Sequence, residues 1–185
     1  TLTNVSLSSN QAVEGGGLSI YCAAGSRCAT RLVDSSLLAN EATVGGAITT
    51  GFDEANLAFS LDLLRTTVWF NRAEEGGGIR LRGADFTAVD STIRENQATT
   101  GGGIAMIAGS YVLRANMTGS AIFDNVATQR GGGFYIRSAD PGDVQLTLAN
   151  STVSGNRVTD TVGIGGGIAM SATYGLQVDL INSTV

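Results

Sequence analysis

The stretch Asn40-Glu41-Ala42-Thr43-Val44-Gly45-Gly46-Ala47-Ile48 is one copy of a phrase that occurs six times along the chain. Each copy contains an asparagine, then a block of glycine or alanine, and at once an apolar residue. Successive glycine blocks begin 30, 31, 25, 30 and 34 residues apart. Because self-similarity at a nearly fixed period is typical of solenoids, this repeat predicts a solenoid fold.

The composition of the repeat indicates which kind of solenoid it forms. The segments between glycine blocks are rich in Val, Ile, Thr and Ser and alternate with a period of two, as in Leu146-Thr147-Leu148-Ala149. Triple glycine in each unit would interrupt a helix. We therefore predict an all-β fold, a right-handed parallel β-helix of about six coils of 25–34 residues with three strands per coil. We expect residues 1–185 to form a single solenoid that is a segment of a longer repeat protein.

Aligned residues of successive coils become physical stacks in such a fold, because paired strands lie about 4.8 Å apart. We expect the apolar residue after each glycine block to stack inside, with a second apolar column two residues later in which Thr50 is the polar exception. Stacked asparagines can bond amide to amide, and asparagine tolerates the left-handed conformation of a tight bend. The predicted asparagine ladder consists of Asn10, Asn40, Asn71, Asn96, Asn125 and Asn156.

Composition and charge exclude several classes of function. The net charge is −5 and no basic cluster recurs, which argues against nucleic acid as a partner. Histidine is absent, so Ser-His-Asp, Cys-His and most transition-metal sites are excluded. No glycine block continues into Gly-Lys-Ser/Thr, which excludes a phosphate loop. Apolar runs stay below the roughly 18 residues of a membrane span. We predict no catalytic residue, no cofactor, no metal and no membrane span in this segment.

The two cysteines, Cys22 and Cys28, are six residues apart and could close a small ring. In an exported protein we expect a disulfide that fixes this loop. Two free thiols are the alternative, while a zinc site would need two further ligands that the sequence does not offer.

The repeat resembles that of the polymorphic outer membrane proteins of the chlamydial type, whose hallmark is Phe-x-x-Asn with Gly-Gly-Ala-Ile. Gly45-Gly46-Ala47-Ile48 matches the second part fully. The first part is matched, with Val or Ile for Phe, by Val153-Ser154-Gly155-Asn156 and by Ile122-Phe123-Asp124-Asn125. The resemblance covers the whole chain. It implies a secreted or surface-exposed autotransporter passenger, often an adhesin, held in the full-length protein by an outer-membrane barrel or another anchor.

The function we expect is that of an adhesin-like passenger or structural stalk, without enzymatic activity, outside the cell or on a bacterial outer surface. Its partners would be a host-cell or matrix surface or a polysaccharide. Two alternatives stay open. One is a self-assembling filament subunit that stacks end to end, because an uncapped solenoid exposes unpaired strand edges. The other is a carbohydrate-active enzyme of the lyase or hydrolase kind, or a glycan-binding module.

Two groups of polar residues are candidates for a site. Asp34, Arg65 and Asp90 fall in one column, where we expect an outward charge trio with a solvated or structural role. The outward side of the strand after each glycine block is the better candidate. Arginine and tyrosine on a flat β face can hold a glycan by bidentate bonds and ring contacts. The predicted glycan-contact face consists of Arg80, Arg82, Tyr135 and Arg137.

Overall fold

The computed structural model describes residues 1–23, 26–52, 59–109, 112–138 and 142–185. Within these ranges the chain forms twenty-two strands and no helix. In chain order the strands are β1 Leu2–Thr3, β2 Ser6–Ser8, β3 Leu18–Cys22, β4 Cys28–Val33, β5 Ser36–Leu38, β6 Ile48–Phe52, β7 Phe59–Leu64, β8 Thr67–Trp69, β9 Ile79–Arg82, β10 Asp85–Val89, β11 Thr92–Arg94, β12 Gln97–Thr100, β13 Ile104–Ala108, β14 Leu113–Thr118, β15 Ala121–Phe123, β16 Val126–Arg130, β17 Phe134–Ser138, β18 Val144–Ala149, β19 Thr152–Ser154, β20 Arg157–Val158, β21 Ile168–Ala172 and β22 Leu176–Ile181.

Strands at equivalent positions of successive coils pair in parallel and form four sheets. Sheet A has the order β1-β4-β7-β10-β14-β18-β22, sheet B the order β2-β5-β8-β11-β15-β19, sheet C the order β12-β16-β20 and sheet D the order β3-β6-β9-β13-β17-β21. Each sheet takes its strands in sequence order, so the chain winds as a parallel β-solenoid of about six coils. The predicted fold class is confirmed, and the short sheet C adds to the three main strands of a coil.

The core is the stack of inward residues that the period-two alternation predicted. In sheet D the residue after the glycine block pairs with its equivalents from coil to coil, as Ile79 does with Ile104 and Ile104 with Phe134. All three are fully buried and belong to one cluster that runs through the coils. Burying a side chain of this size contributes about 1.5–3 kcal/mol. The hydrophobic stack therefore accounts for much of the stability of the solenoid.

The second column of sheet D contains the polar exception, Thr50. Its side chain is 0% exposed, and its Oγ1 accepts the backbone N–H of Arg82 at 2.9 Å. The hydroxyl is therefore satisfied inside the core. At the other end of this column Met170 lies in the edge strand β21 and is 53% exposed.

The predicted asparagine ladder is confirmed at the corner where the chain leaves sheet B. Nδ2 of Asn71 donates to Oδ1 of Asn96 at 2.9 Å, and Nδ2 of Asn96 donates to Oδ1 of Asn125 at 2.9 Å. The same Oδ1 atoms also accept the backbone N–H of the preceding asparagine, and Asn71 and Asn96 are at most 1% exposed. The ladder runs through Asn10, Asn40, Asn71, Asn96, Asn125 and Asn156.

The left-handed residue of this corner is the one before each asparagine. The prediction that asparagine itself supplies the left-handed turn is wrong, because no ladder asparagine has a positive φ. The left-handed residue makes the bend, and the asparagine that follows it bonds to the neighbouring coils. The residues with positive φ at this corner are Ser9, Ala39, Phe70, Glu95, Asp124 and Gly155.

A second hydrogen-bonded column, which was not predicted from the sequence, lies at the corner between sheets A and B. Oγ of Ser91 accepts the backbone N–H of Thr66 at 3.1 Å and donates to the carbonyl of Val89 at 2.8 Å. The signal in the sequence is a small hydroxyl residue directly after the column of Asp and Asn. This hydroxyl ladder consists of Ser35, Thr66, Ser91, Ser120, Ser151 and Ser183.

The glycine blocks serve two different requirements. The first glycine of each block is left-handed, with φ between 60° at Gly15 and 68° at Gly76. The second needs no special φ, but a Cβ on Gly16 would lie 2.5 Å from the carbonyl oxygen of Gly46 in the next coil. The third position is less crowded and is occupied by alanine at Ala47. The blocks therefore fix both the bend and the distance between coils.

The predicted disulfide between Cys22 and Cys28 is confirmed, with Cα atoms 5.9 Å apart. It joins β3 to β4 and so links sheet D of the first coil to sheet A of the second. Cys22 is fully buried and packs with Phe59 and Ala84. The alternative of two free thiols does not apply.

In the ranges described, no helix has the length and apolar character that crossing a membrane requires.

Candidate functional site

The predicted glycan-contact face lies on the outer side of sheet D, and its four residues differ in availability. Register pairs Arg80 with Ala105 and Ala105 with Tyr135, so the arginine and the tyrosine are two coils apart. Nε of Arg80 donates to Oε2 of Glu75 at 2.7 Å. Tyr135 is only 6% exposed. Arg80 and Tyr135 are therefore already engaged within the protein.

The neighbouring column of the same face contains Arg82, Ile107 and Arg137 in three successive coils. Both arginines are exposed, whereas Ile107 is buried and forms an outer cluster with Tyr135 and Ala169. Two coil steps separate the guanidinium groups, which corresponds to roughly 10 Å along the rod. Arg82 and Arg137 can approach a ligand from two sides of this apolar centre. Their contact with a glycan stays a prediction.

The charge trio lies at the corner that carries the hydroxyl ladder. Nε and Nη2 of Arg65 donate to the two carboxylate oxygens of Asp34 at 2.6 and 2.8 Å. This bond lowers the pKa of Asp34 below its ordinary value of 3.8 and raises the pKa of Arg65, with a smaller contribution from Asp90 to the latter. The pair is largely exposed, so solvent screens it. Both Asp34 oxygens are occupied by the arginine.

An outward aromatic column on sheet B was not predicted. In successive coils this column contains Leu38, Trp69, Arg94 and Phe123. The guanidinium carbon of Arg94 lies 4.3 Å from the centre of the Trp69 ring, and Nη1 of Arg94 donates to Glu95 at 2.8 Å. Stacking of this kind contributes roughly 0.5–1 kcal/mol at an exposed site. Arg94 is therefore held between Trp69 and Glu95 on the outer face of sheet B.

A long groove next to the asparagine corner was also missed. It has a volume of about 500 Å³ and follows the rod through five coils. We call it the alanine groove. Its floor is formed by the alanines two residues after each ladder asparagine, namely Ala12, Ala42, Ala73 and Ala98. One wall carries Gln11, Glu41, Arg72, Gln97 and Val126. The opposite wall carries Thr43, Glu74, Thr99 and Thr128.

The walls of the alanine groove present free side chains. Glu41, Arg72 and Glu74 are exposed, and the ion pairs found among the described residues involve other groups. The floor is closed at Ala42 and Ala98, which are 8% and 7% exposed, whereas Ala73 is half-buried and Ala12 is exposed. The groove thus combines an apolar floor with unpaired carboxylate, guanidinium, amide and hydroxyl groups. Its signal in the sequence is a polar residue, an alanine and a polar residue directly after Asn40, Asn71 and Asn96.

The groove ends at a feature that the coil lengths indicate. The chain between Asn156 and Gly165 is longer than in the other coils, and this insertion pairs with the fifth coil. Asp160 N–H donates to the carbonyl of Thr128 at 2.9 Å, and Ile164 N–H to that of Gln129 at 3.0 Å. The insertion therefore begins where the lining of the groove stops.

Among the residues that the structure describes, no group of three or more Cys, Asp or Glu side chains is placed to hold a metal ion. Comparison of the chain with protein-family models, with curated proteins and with solved structures found no match.

Proposed function

We propose that this chain is a non-catalytic, adhesin-like stalk segment that acts outside the cell, on a bacterial outer surface or in the extracellular space. The observation that carries the proposal is the division between interior and exterior. The inward positions form an apolar stack flanked by two ladders, as Ile104, Asn96 and Ser91 do within one coil. The chemistry that varies from coil to coil lies on the outer faces. A rod built in this way holds ligand-binding side chains at fixed spacing.

The disulfide supports an extracellular location. Disulfides persist in oxidising compartments and are rare in reducing ones, and Cys22 and Cys28 are bonded in this fold. The repeat signature supports the finer assignment to the polymorphic outer membrane protein type, because Gly45-Gly46-Ala47-Ile48 lies at the bend after an asparagine corner. An adhesin passenger of that type would present its outer faces to a host-cell or matrix surface.

The oxidation state of the cysteines tests the location. Protein isolated from cells that produce it naturally is denatured and alkylated without a reductant, and its mass is measured. We expect no alkyl adduct before reduction and two adducts after it. Two adducts before reduction would place the chain in a reducing compartment and overturn the extracellular proposal.

Bead adhesion tests the binding role. Beads coated with the purified chain should adhere to host cells or extracellular matrix more than beads coated with an unrelated β-rich protein of equal charge. The amount of chain per bead is matched by quantitative staining. Equal adhesion of both bead types would remove the adhesin-like role.

A further inference from the structure

The alanine groove offers a ligand its side chains and not its backbone. The backbone N–H groups of Glu41, Arg72 and Gln97 each donate to the carbonyl of the preceding coil's ladder asparagine at 2.9 Å. The floor is engaged in the same way, with Ala42 N–H donating to the carbonyl of Arg72 at 3.0 Å. A peptide that adds as a strand needs an unpaired backbone edge. The groove has no such edge along the positions just named.

The charges of the groove favour a neutral ligand. Its lining contains two carboxylates, Glu41 and Glu74, and one guanidinium, Arg72. The whole chain carries a net charge of −5, which repels polyanions. A neutral ligand that both donates and accepts hydrogen bonds matches walls of mixed amide, carboxylate and hydroxyl groups.

The length of the groove favours an extended ligand. Five coils are separated by four steps of about 4.8 Å, so the longer wall extends over roughly 20 Å and the opposite wall, with three steps, over roughly 14 Å. Polar groups recur over the first four coils of one wall, at Gln11, Glu41, Arg72 and Gln97, and Val126 follows in the fifth coil. A sugar chain matches this pattern, because each ring carries a rim of hydroxyl groups and an apolar face of C–H bonds. In the groove the hydroxyl rim would contact the walls and the apolar face would contact the alanine floor.

We propose that the alanine groove binds an extended neutral polysaccharide with its chain parallel to the rod axis. The proposal deepens the adhesin-like function given above and depends on that function only for its biological setting. It differs from the predicted face on sheet D, where Arg80 is held by Glu75 and Tyr135 is buried.

Direct binding to the purified, disulfide-bonded chain tests this site. The probes are neutral hexasaccharides of hexoses, pentoses and N-acetylhexosamines, with a hexasaccharide of uronic acids for comparison, measured by calorimetry. We expect at least one neutral hexasaccharide to bind about tenfold or more tightly than its disaccharide, which corresponds to about 1.4 kcal/mol. Binding by none of the neutral probes, or preferential binding of the uronic acid probe, would overturn the proposal.

Two matched variants locate the site. The groove variant combines Glu41→Ala, Arg72→Ala and Gln97→Ala. The control variant combines Asp62→Ala, Arg114→Ala and Gln145→Ala, which removes the same three kinds of side chain from the outer face of sheet A. We expect the groove variant to lose at least tenfold in affinity and the control variant to bind like the wild type. Equal effects of the two variants would place the ligand elsewhere.

A third variant removes no polar group. Ala73→Leu narrows the groove at its centre, where Ala73 is half-buried. It should weaken hexasaccharide binding about tenfold while disaccharide binding changes less. Unchanged hexasaccharide binding in this variant would contradict the site. Glycan binding by the purified chain and the oxidation state of the cysteines in the cell are measured separately, so failure of either proposal is recognised by itself.

Discussion

At the two corners that flank sheet B, different side chains form the hydrogen bonds between successive coils. Carboxamides do so at one corner and hydroxyls at the other. At the asparagine corner each amide bonds to the coils on both sides, since Nδ2 of Asn96 donates to Asn125 ahead and to the carbonyl of Val68 behind at 3.0 Å. At the hydroxyl corner Oγ of Ser91 accepts from Thr66 in the preceding coil and donates within its own coil, to Val89. The first ladder is continuous from side chain to side chain, whereas the second is a series of separate links. Removal of one side chain from the asparagine ladder should therefore lower the free energy of unfolding more than removal of one from the hydroxyl ladder.

The largest effect is expected at the centre of the asparagine ladder. Asn96→Ala leaves the amide and backbone N–H of Asn71, the carbonyl of Val68 and Oδ1 of Asn125 without this partner inside the core. Each buried polar group left unsatisfied costs about 1–3 kcal/mol, so we expect a loss of roughly 3–5 kcal/mol in the free energy of unfolding. Urea unfolding followed by circular dichroism measures it.

The matched control is Asn10→Ala in the exposed first rung of the same ladder. Asn10 donates to Asn40 but lies at the surface, so the loss should stay below about 1 kcal/mol. Equal losses for the two variants would mean that burial does not determine the strength of the ladder.

A smaller loss is expected at the hydroxyl corner. Ser91→Ala leaves the backbone N–H of Thr66 without its acceptor and the carbonyl of Val89 without its hydroxyl donor. We expect destabilisation by roughly 1–2 kcal/mol, measured in the same urea series. A loss as large as that of Asn96→Ala would mean that the two ladders contribute equally to stability.

Replacement of a left-handed residue before a ladder residue by glycine should raise the free energy of unfolding. Ala39 has a φ of 52°, which costs an alanine roughly 1–2 kcal/mol, while glycine adds a folding entropy cost of about 0.5–1 kcal/mol. Ala39→Gly should therefore stabilise the protein by about 0.5–1 kcal/mol, visible as a higher Tm. At the hydroxyl corner Asn150→Gly serves as the comparison, because asparagine already tolerates its φ of 49°. Loss of stability in Ala39→Gly would contradict this account.

The smallest effect concerns the exposed pair at the hydroxyl corner. Because the pKa of Asp34 is lowered in the folded state, its contribution to stability is present above the ordinary value of 3.8 and disappears as the pH falls through the lowered value. The difference in stability between wild type and Asp34→Asn should be constant from about pH 7 to pH 5 and shrink below about pH 4. Urea titrations at several pH values measure it.

Added salt should also reduce the difference, because the pair is exposed. Asp62→Asn, which removes a carboxylate outside the ion pairs of the described residues, is the control. A difference between wild type and Asp34→Asn that grows on acidification would have the wrong sign.

The sequence was sufficient for the parts of the fold in which one residue type holds one position. The asparagines and the apolar residue after each glycine block recur in phase, and the parallel register follows from that phase, as between Ile79 and Ile104. The left-handed positions could not be predicted because Ser9, Ala39 and Phe70 share no side-chain chemistry. What they share is their place directly before a ladder asparagine.

The outer faces were harder to predict than the interior. Alternation places Tyr135 outside, but it does not show that Ile107 and Ala169 pack around it and bury it. The hydroxyl ladder was missed because Val5 and Thr66 interrupt the series of serines. The alanine groove depends on the concave path of the chain between the asparagine corner and the glycine block, and residue type alone does not encode that curvature.

The asparagine ladder also gives the rod a dipole with one direction along its axis. Each carboxamide oxygen accepts only from the side of the preceding coil, as Oδ1 of Asn40 does from Asn10, Oδ1 of Asn71 from Asn40 and Oδ1 of Asn96 from Asn71. The side-chain dipoles therefore point the same way through the stack and polarise one another. A coil that packs on the C-terminal side of another must supply an Oδ1 acceptor, because Nδ2 of the asparagine in the other coil is the donor. The two ends of the asparagine stack are consequently chemically different, one offering an acceptor and the other a donor.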